Sequence, residues 1–324
     1  MIGARGAGLA VGGRGEARGG RNGSFWLVGA LVGVFGWAGC GAATTPPLPA
    51  APPPSAAAPA LAIPADLDVV VRVDLDPIRA ALPEDAAFRL TEALGVEDDS
   101  TAHVVRQALG RARQVWIAWR PGARPEHWDN VIVLRGDFSG IREGEITRAF
   151  HPARLLPGGW RSYAARELQG RAAPAAIYAH HDALWVVASV AELDAVDRVL
   201  EGRADDAPVE VPERGVLSVG ARLRTVAAQL RGSAPKAARF LERARAASAS
   251  ADLTSEGLAL TAEMRFEREE DAGRASRALE LLLAALALEG PSWLREVEVS
   301  TVATTVALRA RVPHRALQQG WLSP

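Results

Sequence analysis

Two carboxylates near the start of the folded part are candidates for metal binding or acid–base work. Asp74 and Asp76 alternate along a predicted strand, which would place both side chains on one face. Paired carboxylates can bind calcium or act as acid and base. A carboxylate just before Pro77 is, however, also typical of a junction where it caps a helix. The sequence favours capping and keeps the pair as the alternative.

The run His180-His181-Asp182 is a second candidate for chemistry. Adjacent residues of a strand point to opposite faces, so two neighbouring histidines rarely bind one metal ion. The other histidines are scattered without zinc-type spacing. We therefore predict that the trio lies at the tip of a β-hairpin, and we expect no metal and no cofactor.

Two tryptophans fall in segments rich in proline and glycine. Trp128 follows Arg-Pro-Glu-His, and Trp160 follows Leu-Pro-Gly-Gly. Tryptophans in loops often anchor an interface, although they can also fold back over the edge of a core. The sequence makes both residues candidates for binding.

Alternating and helical patterns predict the elements that carry these residues. A strand over 68–75 precedes helices over 84–94 and 101–113, strands over 114–120 and 130–136, and a helix over 142–150. A hairpin over 175–189 follows, and Ser189 with Glu192 predicts a capping box at the start of a helix over 190–200.

The second half repeats this order. A strand over 215–223 continues into a helix over 224–230, and a second helix covers 235–247. A hairpin over 250–267, a helix over 271–288, strands over 296–312 and an end helix over 313–321 complete it. The sequence thus predicts an α+β protein with two tandem strand–helix–hairpin–helix–hairpin repeats, at 65–205 and 212–324. Their helices are expected on one face of antiparallel sheets.

The most apolar stretch of the second half covers 278–288. It contains Glu280 and spans 11 residues, fewer than the roughly 20 that a membrane-crossing helix needs. We predict a buried core helix here.

The first 39 residues have the composition of a secretory signal. Four arginines and a single acid precede residue 24, and an uninterrupted apolar and glycine run covers 25–38. A basic leader, an apolar core and small residues before a cleavage point are the parts of such a signal. Cys40, the only cysteine, follows Trp37-Ala38-Gly39.

The run Ala38-Gly39-Cys40 resembles the lipobox of bacterial lipoproteins, which usually carries leucine where this chain has Trp37. The resemblance implies cleavage before Cys40 and attachment of acyl chains to that cysteine. More than one buried acyl chain gives stable membrane attachment. Gly41 in place of aspartate implies transfer to the outer membrane, facing the periplasm or the surface.

A proline- and alanine-rich segment joins Cys40 to the body. Residues 44–64 are almost entirely Pro, Ala, Thr, Ser and aliphatic, a composition that favours an extended chain without a packed core. We expect residues 40–64 to tether the body to the membrane.

The composition excludes several functions for the body. The formal net charge of the whole chain is −1, so no excess of basic residues marks the body as a nucleic-acid-binding protein. No nucleophile-elbow spacing or phosphate-binding loop occurs in the body. We expect a non-enzymatic envelope lipoprotein that binds or assembles, with an envelope protein as partner. The alternative is an envelope hydrolase or metal-dependent enzyme that uses Asp74 and Asp76 or His180–Asp182.

Overall fold

The computed structural model describes residues 62–81, 100–120, 130–167, 174–203, 209–232 and 235–318. The strands are β1 (Val69–Asp74), β2 (Ala112–Trp119), β3 (Asn130–Gly136), β4 (Arg154–Leu155), β5 (Trp160–Ala164), β6 (Pro174–His180), β7 (Leu184–Ser189), β8 (Leu217–Arg222), β9 (Ala244–Thr254), β10 (Gly257–Phe266), β11 (Glu298–Val302) and β12 (Thr305–Pro313). The helices are α1 (Leu75–Ala81), α2 (Ser100–Arg111), α3 (Glu143–Ala149), α4 (Leu193–Leu200), α5 (Leu223–Leu230), α6 (Pro235–Leu241), α7 (Glu269–Glu289) and α8 (His314–Gln318).

The twelve strands of the described residues form one sheet, in the order β11-β12-β10-β9-β8-β1-β2-β3-β7-β6-β5-β4. Every neighbouring pair is antiparallel. The two halves of the chain meet where β1 pairs with β8, with Val71 opposite Val219. The prediction of a mixed helix and strand protein with antiparallel pairing is confirmed. The prediction of more than one sheet was wrong, because the pairing of β1 with β8 joins the strands of both halves into a single sheet.

One face of the sheet, which we call the helix face, carries most of the helices. Val69, Val71 and Val73 point to this face because side chains alternate along a strand. They pack in two clusters that share Val71 and include residues of α1, α2, α3, α5, α6 and α7. These clusters form the larger part of the hydrophobic core.

The opposite face is covered by α4 and by the first described residues. Val196 and Leu200 of α4 pack with Ile63, Leu67 and other buried residues on this face. The prediction that helices lie on one face only was therefore wrong for α4.

Tyr178 holds α4 on the opposite face. Its side chain is buried, and burial, followed by its hydrogen bond to Asp197 of α4, raises the pKa of the Tyr178 hydroxyl far above its ordinary value. The folded chain therefore keeps this proton at pH values where the unfolded chain loses it. The stabilisation that results from the raised pKa of Tyr178 is complete below about pH 10 and decreases as the pH rises further.

We expect Tyr178→Phe to lower the free energy of unfolding at pH 7 by about 1–2 kcal/mol, since a buried hydrogen bond is lost. The loss of stability between pH 9 and 11 should also become smaller. Part of it should remain, because burial raises the pKa of Tyr163 as well. Urea unfolding at several pH values measures both effects. An alkaline loss identical to that of the wild type would contradict this role of Tyr178.

Several local predictions differ from the structure. The helix expected over 235–247 ends at Leu241, and β9 begins at Ala244. The helix expected over 84–94 lies outside the described residues.

The capping box predicted at Ser189 and Glu192 does not form. Ser189 makes no capping bond; its hydroxyl accepts a hydrogen bond from the Asn130 backbone N–H at 3.1 Å. The predicted capping box was wrong because Glu192 binds Arg120 instead.

The hairpin of β4 and β5 was not predicted. Gly158 and Gly159 have φ angles of +74° and +82°, a backbone region that glycine adopts without steric cost. These residues reverse the chain direction. Trp160 therefore begins β5, which pairs with the edge strand β4, instead of lying in a loop. The Pro-Gly-Gly signal is a turn between strands.

Candidate functional site

The structure separates the two candidate carboxylates. Asp74 ends β1, where its Oδ2 accepts hydrogen bonds from Arg72 and Gln114, both at 3.3 Å. Asp76 is exposed in the first turn of α1, 3.6 Å from an Arg79 nitrogen. The prediction that they share a strand face was wrong because the strand ends between them. Each carboxylate has its own arginine.

The His180–Asp182 run lies at a hairpin turn, as predicted. β6 ends at His180, and residues 181–183 form the turn into β7. The ring of His180 packs on Trp160 with centroids 4.9 Å apart, and its Nε2 lies 3.1 Å from the Gly158 carbonyl oxygen. Asp182 is exposed, with an Arg161 nitrogen at 3.9 Å. In the described ranges no group of three or more His, Cys, Asp or Glu side chains is placed to hold a metal ion.

Of the two predicted binding residues and the predicted lipidation site, one residue lies in the described ranges. Trp160 is buried and belongs to the core of the opposite face. It therefore covers the edge of the core, which is the alternative role that its sequence allowed. Trp128 and Cys40 lie outside the described residues.

A buried ion pair that the sequence did not reveal holds the start of the body. Glu192 is only 1% exposed, and both its oxygens accept hydrogen bonds from Arg120, at 2.9 and 3.1 Å. Arg120 also donates to Asp66 Oδ2 at 2.6 Å. The hydrogen bond to Glu192 is the main cause that raises the pKa of the Arg120 guanidinium. These partners are 54 and 72 residues from Arg120 along the chain, a separation without a sequence signal.

Further contacts secure this N-terminal segment, residues 62–68, to the centre of the sheet. Ala62, Ile63 and Leu67 are buried. Arg222 of β8 donates to the Ala65 carbonyl oxygen, and the Thr225 hydroxyl donates to Asp68 Oδ1 at 3.1 Å. The proline-rich stretch of the sequence therefore ends at a fixed point on the body.

The main exposed apolar surface of the described residues is the C-terminal part of α7. Residues 281–288 are Leu-Leu-Leu-Ala-Ala-Leu-Ala-Leu, and we call them the leucine end. Exposed fractions are 73% for Leu281, 54% for Leu282, 49% for Leu286 and 81% for Leu288. The prediction of a buried helix over 278–288 was wrong for this part, because no described element covers it.

The N-terminal part of α7 shows what ordinary packing of this helix looks like. Ala272 and Ala275 are buried against the helix face, near Phe266 and Val306. Burying a leucine side chain stabilises a protein by about 1.5–3 kcal/mol. At its four exposed leucines the leucine end lacks much of that stabilisation. Exposed apolar surface of this kind is typical of a site that binds a partner, a ligand or a membrane.

A shallow groove borders the leucine end. It encloses about 290 Å³ between α7 and residues 294–299, with Leu283, Ala284, Ala287, Leu294, Val297 and Val299 among its lining residues. Glu280 and Arg295 supply its charged groups. The groove continues the apolar surface toward the edge strand β11.

Comparisons with known proteins give no family. No protein-family model matches the chain, and no curated protein matches it. Among solved structures, crystal form III of a protein called TP0453 is 7% identical, with a TM-score of 0.47, and the match covers 82% of this chain and 98% of that one. Crystal form I of TP0453 is 9% identical, with a TM-score of 0.46 and coverage of 82% and 96%. These TM-scores assign neither a family nor a fold.

Proposed function

We propose that the chain is a lipoprotein of the cell envelope, tethered by lipid on Cys40, whose body is a non-enzymatic binding or assembly module. The observation that carries the proposal is the leucine end, an exposed apolar surface on a body whose other described helices pack their apolar residues inward. Location in the outer membrane and an envelope protein partner belong to the same proposal. The sequence features of residues 1–64 supply the anchor and the spacer.

The fixed N-terminal segment supports the tethered arrangement. A lipid-anchored body is connected to its membrane through the residues that follow the proline-rich spacer. Here those residues are held by buried apolar side chains and by hydrogen bonds from Arg120 to Asp66. A force applied to the spacer is therefore transmitted to the centre of the sheet.

We also propose that the body consists of two tandem repeats, at 65–205 and 212–324. The order of elements supports this: β1, α1, α2, β2, β3, α3, β6, β7 and α4 correspond to β8, α5, α6, β9, β10, α7, β11, β12 and α8. From the centre outward the sheet runs β1-β2-β3-β7-β6 on one side and β8-β9-β10-β12-β11 on the other. The β4–β5 hairpin is then an insertion in the first repeat.

In this alignment α7 corresponds to the much shorter α3. The helix has 21 residues in the second repeat and 7 in the first. The leucine end is therefore the part of α7 that has no counterpart in the first repeat, which supports a role beyond completing the core.

Metabolic labelling with a clickable fatty acid tests the anchor. We expect the wild-type protein to carry the label and Cys40→Ala to lose it entirely, because no other cysteine exists. Ser218→Ala, which removes a buried hydroxyl in the body, serves as the control that should keep the label. Equal labelling of Cys40→Ala and the wild type would refute lipidation at this position.

A further inference from the structure

We infer that the leucine end of α7 docks into the surface of a lipid bilayer. The inference rests on the proposed function, since the lipid on Cys40 would bring the body to the membrane. It assigns to the helix a second membrane contact, separate from the acyl chains of the anchor.

The arrangement of the leucines around the helix favours lipid over a flat protein surface. Successive residues of an α-helix are about 100° apart, so Leu281 and Leu288 lie on nearly the same side, whereas Leu286 lies roughly 140° from Leu281. Leu281 and Leu288 are mostly exposed, and Leu286 is about half exposed. A helix that is apolar on most of its circumference needs an apolar surround. The outer part of a bilayer supplies one, because acyl chains close around whatever enters them.

The charges of α7 exclude electrostatic attraction as the cause and disfavour a second copy of the chain. The helix contains five acidic and two basic residues, and none of them falls between 281 and 288. Two copies that met through α7 would bring like charges together, among them the exposed Glu280 of each copy. Docking on lipid should therefore depend on apolar burial and gain nothing from anionic lipid.

The dimensions give a shallow contact. Eight residues of helix extend about 12 Å, far less than the roughly 30 Å hydrocarbon core. Among the helices of the described ranges, none combines the length and apolar character needed to cross a membrane. We therefore place the leucine end in the headgroup and upper acyl region, about 5–10 Å deep.

The spacer permits this contact. Twenty-one residues separate Cys40 from Ala62, and a chain of that length reaches at most about 70 Å. The anchor therefore neither forces the body against the membrane nor keeps it away, and the position of the leucine end reports its own affinity for lipid.

A fluorescent probe at the leucine end tests the inference in the lipidated full-length protein. The acylated sulfur of Cys40 leaves no free thiol, so Leu288→Cys provides a single site for an environment-sensitive dye. The labelled protein is reconstituted into phosphatidylcholine vesicles with and without brominated acyl chains. We expect a blue-shifted emission that brominated lipid quenches. Asp182→Cys, at an exposed turn eight strands from β11, should stay in water.

Matched leucine substitutions make the test specific. Leu281→Gln and Leu282→Gln, in the chain that carries the probe at 288, should each lower the docking equilibrium by about tenfold. Leu155→Gln should leave it unchanged, since Leu155 is a comparably exposed leucine (76%) on β4 at the other end of the sheet. These exposed positions allow substitution without loss of the fold.

The possible failures are distinguishable. Vesicles that float with the protein while the probe at 288 stays in water would overturn the inference and leave the anchor standing. A blue shift that appears without vesicles and rises with protein concentration would show that a second copy covers the leucine end, and would also overturn it. Protein that does not float with vesicles at all would overturn both the inference and the proposed tether.

Discussion

Replacing Arg120 by alanine should lower the free energy of unfolding by about 3 kcal/mol, because it leaves the Glu192 carboxylate buried without its counter-charge. Glu192 is almost fully buried, whereas the side chain of Arg120 is 37% exposed. Water reaches the vacated position in part, so the effect falls at the low end of the range for broken buried pairs. Urea unfolding followed by circular dichroism measures it.

Two companion variants identify the cause. Asp66→Ala removes the other, half-exposed partner of Arg120 and should cost at most about 1 kcal/mol. The double variant Arg120→Ala with Glu192→Ala should be more stable than Arg120→Ala alone, because the stranded charge has gone. If the double variant had a free energy of unfolding lower than that of Arg120→Ala by the same amount that Glu192→Ala alone loses, the two residues would be acting independently.

Replacing Gly220 by alanine should lower the free energy of unfolding by about 3 kcal/mol, because a methyl group there collides with backbone. A Cβ at position 220 would lie 2.2 Å from the Glu210 carbonyl oxygen and 2.9 Å from Val209 Cγ1. Residues 209–212 pass over β8 at this point, and Arg72 donates to the Pro212 and Glu213 carbonyl oxygens beside it. The variant must therefore displace the connection between the two halves of the chain.

Gly273→Ala provides a control of opposite sign. Gly273 lies inside α7, and a Cβ there would meet nothing within 4 Å. Alanine in a helix interior is more favourable than glycine by about 0.5–1 kcal/mol, so this variant should be stabilised. Equal effects of the two substitutions in thermal unfolding would contradict the close approach at Gly220.

The sequence predicted those parts of the fold that local patterns encode. Alternation identified β2 and β3 to within two residues, and the hairpin of β6 and β7, with its turn just after His180, was placed correctly. The pairing of β1 with β8 was not predictable in this way, because strand partners far apart in the chain leave no local pattern. It is this pairing that turns two expected sheets into one.

The same limit explains the missed contacts. Glu192 follows Ser189 at capping-box spacing, yet its charge is satisfied by Arg120 on a distant strand. Trp160 follows a glycine-rich run that predicts a loop, yet pairing with His180 on β6 makes it part of a strand. For residues 278–288 composition predicted burial. Composition shows that a helix needs apolar surroundings, but whether the protein supplies them depends on tertiary structure.

We propose that the mature chain begins at a lipid-modified Cys40. Mass spectrometry of the protein extracted from membranes with detergent tests it most directly. We predict that the N-terminal peptide of the mature chain begins at Cys40 and carries a diacylglyceryl group and a further acyl chain. An unmodified Cys40 thiol, or a chain that retains residues 1–39 in the envelope fraction, would contradict the claim.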